Sequence, residues 1–467
     1  MTDFNQIAAP ASASGPDDER PVSISARLGR LQFHRSGKFR VLQLADIQDG
    51  PKVSKDTIRL IEASLDAARP DVVILTGNQI AGYDDAYRDT FRKRQWEPAR
   101  RGKIERTRAK VRAGISAFLQ PLIDRGIPFA VTYGNHDAQC GLSPAELDAL
   151  YREFPGCINP PCNMDDSAAN PGFLVRSVPS SGLPDQPVAA CEPGTFAMPV
   201  LDQDRQRAVL GLVVLNSGDY AREGGYGRPS DAALRFVHDV PRWLGVRSLV
   251  FQHMPLPQYY DVLKAMPANA DNAIQGYRKY DAQYYVLDDD RTLPGGYLGE
   301  GVSCPDEDCG EFAALRDTDG YIGVVVGHDH RNGFVGSLNG MILVATAWDD
   351  GGGAPALRIR LVRTGRGESC GKTVRVRHPP PVQPADAAAD IRRAGRKTEL
   401  QQGVHLCGRR AVERRRWRQS AEETRPARRG RRRIEEDLSK RDAPTDGLSR
   451  QALSDAKERP PPAGALH

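Results

Sequence analysis

Short apolar runs alternate with amphipathic segments along most of this chain, and that alternation limits the folds it can adopt. The segment 54–68 repeats apolar residues at three- and four-residue spacing behind Ser54, and is predicted to be a helix. A basic stretch, 103–123, is predicted to be a second helix. The apolar runs are predicted to be strands, and they lie at 38–45, 71–76, 128–132, 208–215, 248–251, 321–326 and 341–345. Strands that alternate with helices predict an α/β fold with a central sheet.

The rest of the chain divides by composition. Residues 1–36 are predicted to be a disordered leader, and residues 37–376 to form the folded domain. Inside that domain, 139–205 and 267–310 are rich in Pro, Gly, Ser, Asn or Asp and are predicted to be long loops, either substrate-covering or disordered.

Residues 377–467 are predicted to be a disordered, Arg-rich tail. Segment 391–440 has 17 Lys and Arg against 7 Asp and Glu, whereas the whole chain carries a net charge of +5. The basic character therefore belongs to the tail. A solvated low-complexity tail is favoured over a nucleic-acid-binding arm, because acidic residues are interspersed and Trp417 is the one aromatic residue in that segment.

The sequence shows neither a run long enough to span a membrane nor a secretory signal. We therefore expect a cytoplasmic protein without membrane contact, in which the eight cysteines are reduced thiols.

Five of the predicted strands end in polar residues that can bind a metal ion. They are Asp46 with Gln48, Asn78, Asn135 with His136 and Asp137, His253, and His328 with His330. Each motif alone has a structural explanation, since Asn and Asp often cap helices and a single histidine can be buried with hydrogen bonds. Because strand ends form a common rim in α/β sheets, five such motifs in one chain predict one site. The glycine that precedes Asn78, Asn135 and His328 allows sharp turns and close backbone approach there.

The sequence resembles the calcineurin-like metallophosphoesterases, and within them the branch of fungal and plant purple-acid-phosphatase-like proteins. The motifs that carry the resemblance are Gly-Asn-His-Asp at 134–137, Phe-Gln-His-Met-Pro-Leu-Pro at 251–257 and Gly-His-Asp-His at 327–330. The resemblance covers about residues 38–362. It implies a four-layer α/β/β/α sandwich with two mixed sheets, and a rim that holds two divalent metal ions, with zinc, iron or manganese suited to the ligands.

The resemblance also implies a role for each of these residues. Asp46 and His330 would bind the first metal, and Asn135, His253 and His328 the second. Asn78 occupies the position that bridges both. His136 would orient the substrate and protonate the leaving oxygen, and Asp137 would fix the ring of His136.

Two positions depart from the family pattern. Gln48 stands where the family usually has histidine, and Asn78 stands where it has the bridging aspartate. A neutral amide compensates less of the charge of two dications, so the first metal site is expected to be weakened. The alternative is a first site re-formed around Asp49 or Tyr83.

We therefore expect a metal-dependent phosphoesterase in which a metal-bound hydroxide hydrolyses the phosphomonoester of a small molecule or a phosphoprotein. One alternative is a pseudophosphatase that binds phosphorylated partners without turnover. Another is a nucleic-acid phosphodiesterase that uses the Arg-rich tail. The motifs do not specify the substrate.

Overall fold

The computed structural model describes residues 23–98, 103–162, 173–175, 177–346, 356–362 and 374–377. The α-helices within these ranges are α1 (Ile24–Leu28), α2 (Lys55–Ala68), α3 (Ile104–Asp124), α4 (Pro144–Tyr151), α5 (Asp231–Leu244) and α6 (Glu311–Asp317). The strands are β1 (Lys38–Leu44), β2 (Val72–Thr76), β3 (Phe129–Thr132), β4 (Phe173–Val175), β5 (Val188–Glu192), β6 (Thr195–Leu201), β7 (Ala208–Val214), β8 (Ser248–Phe251), β9 (Leu263–Met266), β10 (Ile274–Gln275), β11 (Tyr284–Leu287), β12 (Tyr297–Leu298), β13 (Tyr321–Val326), β14 (Asn332–Leu338), β15 (Met341–Ala345), β16 (Ala356–Val362) and β17 (Val374–Arg377).

The strands form two large mixed sheets and one small sheet. Sheet one has the order β17-β16-β1-β2-β3, with β1, β2 and β3 parallel. Sheet two has the order β12-β14-β15-β13-β8-β7-β6-β5-β4, with β7, β8, β13 and β15 parallel. The small sheet has the order β10-β11-β9. The five strands with polar ends thus divide between sheet one and sheet two.

One apolar core joins the two large sheets. Its members are fully or almost fully buried and include Val41, Val72 and Ile74 from sheet one, and Leu212, Phe251 and Val325 from sheet two. Helices α2, α3 and α4 pack on the outer face of sheet one, and α5 and α6 pack on the outer face of sheet two. These four layers confirm the α/β/β/α sandwich that the resemblance implied.

The local sequence explains where the helices start and stop. Ser54 caps α2 by accepting a hydrogen bond from the Asp56 backbone at 3.2 Å, and the helix buries Ile61 and Leu65 against sheet one. Ser230 caps α5 in the same way, and Gly245 ends that helix in the left-handed conformation. The seven predicted strands and two predicted helices are confirmed, each within one residue of its observed limits.

The prediction of a loop is wrong for much of 139–205, whereas 267–310 is mostly loop and contains only short strands. The first contains α4 and the strands β4, β5 and β6, and the second contains β10 and β11 of the small sheet. Strand β6 lies inside sheet two although it contains Pro199, which pairs with Gly211 of β7. A proline inside a sheet strand is unusual because it lacks the backbone N–H. The segment around Pro199 was therefore predicted to be a loop.

The leader prediction is wrong for residues 23–36. Helix α1 begins behind Ser23, and Leu31 and Phe33 lie in the core between the sheets. The backbone N–H of Phe33 donates to the carbonyl of Leu201 at 2.9 Å, which ties this segment to β6. The remainder of the leader, 1–22, and the Arg-rich tail from residue 378 lie outside the described residues.

None of the described helices combines the length and the apolar composition that a membrane crossing requires. The six cysteines in the described ranges are free.

The buried carboxyl group of Glu311, at the start of α6, predicts that the stability of the fold depends on pH. Burial raises the pKa of Glu311 from 4.5 to about 8, and its Oε1 atom and the Oε1 atom of Gln252 lack hydrogen-bond partners among the described residues. Since the folded protein holds this proton more tightly than the unfolded chain, the contribution is fully present below about pH 4.5 and is lost as pH rises to about 8. We expect Glu311→Gln to flatten this part of the pH dependence, measured by urea unfolding at about pH 5 and about pH 8.5. The exposed Glu307, in the loop that precedes α6, provides the control, Glu307→Gln; equal slopes in both variants would contradict the prediction.

Candidate metal centre

The five polar strand ends meet at one edge that the two large sheets share. Asp46 follows β1 and His330 follows β13, and their Oδ1 and Nε2 atoms are 3.6 Å apart. Asn135 follows β3 and His253 follows β8, and their Oδ1 and Nε2 atoms are 3.2 Å apart. The predicted rim is therefore assembled, with the seven predicted ligand residues in one cluster. Their roles as ligands stay a prediction.

Four residues of this cluster have left-handed backbone conformations. The φ angles are 54° at Asp46, 45° at Gln48, 54° at Asn78 and 72° at His328. This conformation costs a residue other than glycine about 1–2 kcal/mol. The cost is localised where strands must turn abruptly to aim side chains into the cluster, which is typical of functional sites.

Glycines provide the space for these turns. A Cβ atom on Gly134 would lie 2.3 Å from Asn78 Oδ1 and 2.6 Å from His253 Nε2. A Cβ atom on Gly77 would lie 2.6 Å from His253 Nδ1, and one on Gly327 would lie 2.9 Å from Asp46 Oδ2. The predicted close backbone approach at these glycines is confirmed.

Asn135, His253 and His328 form the most compact group of potential ligands. His253 Nε2 lies 3.2 Å from Asn135 Oδ1 and 3.2 Å from His328 Nδ1. Ligand atoms about 2.0–2.1 Å from a tetrahedral zinc ion are separated by about 3.3 Å, so this spacing fits one cation. His328 Nε2 is buried and has no hydrogen-bond partner among the described residues.

The histidines of this group are in the state that binds metal. His253 Nδ1 lies 2.8 Å from the carbonyl of Thr76, so Nδ1 carries the proton and Nε2 keeps its lone pair. Burial lowers the pKa of His253, and burial and the neighbouring His253 lower the pKa of His328 well below its ordinary value. Neutral imidazoles are the form required of metal ligands.

Tyr220 orients Asn135, the amide member of this group. Asn135 Nδ2 donates to the Tyr220 hydroxyl at 2.9 Å, which leaves Asn135 Oδ1 facing the histidines. Tyr220 was not predicted from the sequence, because it lies in the loop after β7, outside the five strand-end motifs. The amide oxygen is thereby directed to the position where a cation would need it.

Gln48 fills the predicted first metal site with a hydrogen-bond donor. Its Nε2 atom lies 3.1 Å from His330 Nε2 and 3.4 Å from Asp46 Oδ1, and its Oε1 atom accepts from the Tyr83 hydroxyl at 3.1 Å. Asp49 faces away, because its carboxylate accepts from the Thr57 hydroxyl at 2.7 Å. Tyr83 is thus near the first site and Asp49 is not.

Asn78 places a second donor between acceptors. Its Nδ2 atom donates to Asp46 Oδ1 at 3.1 Å and to Asn135 Oδ1 at 3.2 Å. The orientation is fixed, because Asn78 Oδ1 accepts from the His136 backbone N–H at 2.9 Å. An N–H donor therefore occupies the position at which a bridging carboxylate would face two metal ions.

The roles predicted for His136 and Asp137 need one correction. The His136 Nδ1 atom pairs with Gln139 Oε1 at 2.9 Å, and Gln139 Nε2 donates to the carbonyl of Lys93 at 3.0 Å. Asp137 instead accepts from the backbone N–H groups of Asn78, Ile80 and Gly134, at 2.6, 3.0 and 2.7 Å. Gln139 fixes the ring, and Asp137 fixes the two loops, because a carboxylate just after a tight turn is closest to backbone donors.

The charge of the cluster fits one cation better than two. Burial acts to raise the pKa of Asp46, but the adjacent imidazoles, His253 first, outweigh it and hold that pKa below its ordinary value. Asp46 is the one carboxylate among the seven predicted ligands. In the described ranges no group of three His, Cys, Asp or Glu residues is arranged around a common metal position. The compact group depends on the Asn135 amide, so the residues fit a cation there and do not fit one between Asp46 and His330.

The chain is similar to proteins described as phosphoesterases or phosphatases. Residues 39–192 match the model of the family described as calcineurin-like phosphoesterase. The chain is 22% identical over 360 residues to "Probable inactive purple acid phosphatase 29" of Arabidopsis thaliana, covering 69% of this chain and 75% of that protein. It is 26% identical over 325 residues to "Phosphatase DCR2" of Saccharomyces cerevisiae, covering 64% of this chain and about half, 48%, of that protein. A dimetal phosphatase structure from Danio rerio aligns with a TM-score of 0.37 at 10% identity, covering 70% of this chain and 93% of that one.

The close approach at Gly134 predicts that alanine is not tolerated there. Gly134→Ala would force a methyl group against Asn78 and His253, so we expect a loss of about 1–3 kcal/mol in the free energy of unfolding, measured in urea. Gly114→Ala is the control. Gly114 lies in α3, where alanine favours the helix, and a Cβ atom there would lie 3.3 Å from its nearest neighbour, the carbonyl oxygen of Gly50. A Gly134→Ala protein as stable as the Gly114→Ala protein would show that the loops are not packed as described.

Proposed function

We propose that this chain, which carries a calcineurin-like phosphoesterase domain, is a metal-dependent phosphoesterase that hydrolyses phosphomonoesters. The observation that carries the proposal is the group formed by Asn135, His253 and His328, in which His253 Nε2 lies 3.2 Å from Asn135 Oδ1 and 3.2 Å from His328 Nδ1. These three residues would hold one divalent cation, and imidazole with amide oxygen suits zinc, iron or manganese. A second cation is not supported by the residues around Gln48.

The chemistry divides between the cation and the chain. A bound divalent cation supplies positive charge for a phosphate and activates water. Burial lowers the pKa of His136 to about 4, so its ring is neutral at pH 7, with Nδ1 bonded to Gln139 and Nε2 on the side of Asn135. A phosphate dianion beside Nε2 favours the protonated ring. His136 can therefore take up a proton at Nε2 when substrate binds and return it to the leaving oxygen.

A second function, phosphate binding without turnover, is favoured by the two amide groups. The Nε2 atom of Gln48 and the Nδ2 atom of Asn78 donate to Asp46, at 3.4 and 3.1 Å, where a fully active dinuclear site would use the carboxylate for cations. One similar protein from Arabidopsis thaliana is itself named probable inactive. A role in nucleic-acid cleavage depends on the Arg-rich tail, and it stays a prediction, as does a cytoplasmic location.

Metal content and hydrolysis of 4-nitrophenyl phosphate distinguish the two functions. For the full chain purified without chelator, we expect about one divalent cation per chain, and hydrolysis that chelator abolishes and added manganese restores. His328→Ala should remove the cation. His136→Ala should keep it while lowering turnover by about 10²–10⁴. A chain that binds phosphate but hydrolyses nothing at any metal concentration would establish the second function, and equal metal loss in both variants would contradict the separate roles.

Asn78→Asp tests how the cluster is balanced. Without metal, an aspartate held at one oxygen by His136 N–H would turn its other oxygen toward Asp46, and this repulsion should lower the melting temperature. With excess manganese the same carboxylate would become a ligand, so the variant should gain more melting temperature from metal than the natural chain does. Asn272→Asp is the matched control, since Asn272 is exposed and also has a positive φ, 59°. The double variant with Gln48→His should bind a second cation. Identical metal responses of the Asn78→Asp and Asn272→Asp proteins would disprove the bridging position of residue 78.

A further inference from the structure

Three tyrosines form a row that leads away from the candidate metal centre. The Tyr226 ring meets the His328 ring edge to face at 4.4 Å, measured between ring centroids. Tyr220 and Tyr277 flank Tyr226, with centroids 5.8 and 5.9 Å from it and ring planes tilted by 23° and 32°. We call Tyr220, Tyr226 and Tyr277 the tyrosine row.

The tyrosine row is not part of the apolar cores. None of its three members belongs to the described core clusters between or outside the sheets. Tyr220 and Tyr226 are half-buried, and Tyr277, at the outer end, is 38% exposed. Successive ring contacts thus connect His328 of the cluster with the partly exposed ring of Tyr277.

The loops that carry the row are held in place. Tyr220 and Tyr226 face each other across a tight turn closed by hydrogen bonds from Gly227 N to Asp219 O and from Ala221 N to Gly225 O, both 3.1 Å. Arg278, next to Tyr277, forms a bidentate ion pair with Asp306 at 2.7–3.0 Å. A Cβ atom on Gly225 would lie 2.8 Å from Asp306 Oδ2, so the turn packs directly on this ion pair. A row held in this way loses little conformational entropy when a ligand binds.

The chemistry of the row selects flat, uncharged surface. The Tyr220 hydroxyl is used by Asn135, and Arg278 is used by Asp306. Of the three rings, that of Tyr277 is the most exposed, and an aromatic ring face stacks on planar aromatic groups.

We propose that the tyrosine row binds a planar aromatic ring in the alcohol part of the phosphomonoester substrate. This proposal rests on the proposed function, because it places the phosphate at the metal centre beside His328. A ring attached directly to the ester oxygen, as in an aryl phosphate, would reach Tyr226. A nucleobase, which a ribose separates from a 5′-phosphate, would reach the more distant Tyr277.

The test compares three substrates on the full chain with manganese: uridine 5′-monophosphate, 4-nitrophenyl phosphate and glycerol 1-phosphate. Tyr277→Leu keeps apolar bulk but removes the ring, whereas Tyr277→Phe keeps the ring and serves as its matched control. For a nucleotide substrate, we expect Tyr277→Leu to lower kcat/KM for uridine 5′-monophosphate about tenfold, chiefly through KM. The values for glycerol 1-phosphate should stay within about twofold, and Tyr277→Phe should match the natural chain.

The outcomes separate the row from the proposed function. If the aryl substrate is preferred and Tyr226→Leu alone impairs it, the source of the ring is an aryl group. Equal losses for all three substrates, or no loss for any, would overturn the row as a substrate subsite. If the natural chain hydrolyses none of them, the proposed function fails, and calorimetric binding decides on the row. The row would still be supported if the natural chain bound uridine 5′-monophosphate more tightly than glycerol 1-phosphate and Tyr277→Leu removed the difference. Equal binding of the two would overturn the row.

Discussion

The apolar core between the two large sheets is the constraint on which the site depends. Alternate residues of β1 and β2 face this core, such as Val41 and Ile74, while their neighbours Leu42 and Leu75 face the helices on the other side. Because both faces are buried, a one-residue shift of a strand would exchange its core-facing and helix-facing side chains, and the close packing on each face would be lost. That fixed register brings the ends of β1, β2 and β3 against the ends of β8 and β13, and a cluster with residues from both sheets results.

The same arrangement explains which parts of the molecule could be predicted from sequence. Buried strands leave unbroken apolar runs that end in polar residues, so the rim was identifiable from the sequence, and the family resemblance identified the seven potential ligands. Gln139 and Tyr220 were not identifiable, because their contacts with His136 and Asn135 depend on the paths of loops that no periodic pattern determines. Strand β6 was missed because Pro199 has no backbone N–H, although its carbonyl is still used by Gln186 at 3.0 Å.

Two opposing requirements meet in the cluster. Imidazoles that burial keeps neutral are ready to bind a cation, yet the chain supplies amide N–H donors to Asp46, the carboxylate that would balance its charge. A buried carboxylate without a donor or a cation would be costly. The hydrogen bonds from Asn78 and Gln48 meet that cost without a metal, whereas a carboxylate at position 78 would add to it. The natural residues thus stabilise the cluster in its metal-free form.

The orientation of one amide connects the metal side of the cluster with the substrate side. Asn78 Oδ1 accepts from the backbone N–H of His136, and the ring of His136 pairs with Gln139. All three residues therefore belong to one hydrogen-bond network that joins two loops. Asp137 reinforces it by accepting from the backbone of Asn78 and of Gly134. The donors that face Asp46 and the histidine on the substrate side therefore share one set of hydrogen bonds, and the orientation of the Asn78 amide depends on the position of the His136 backbone.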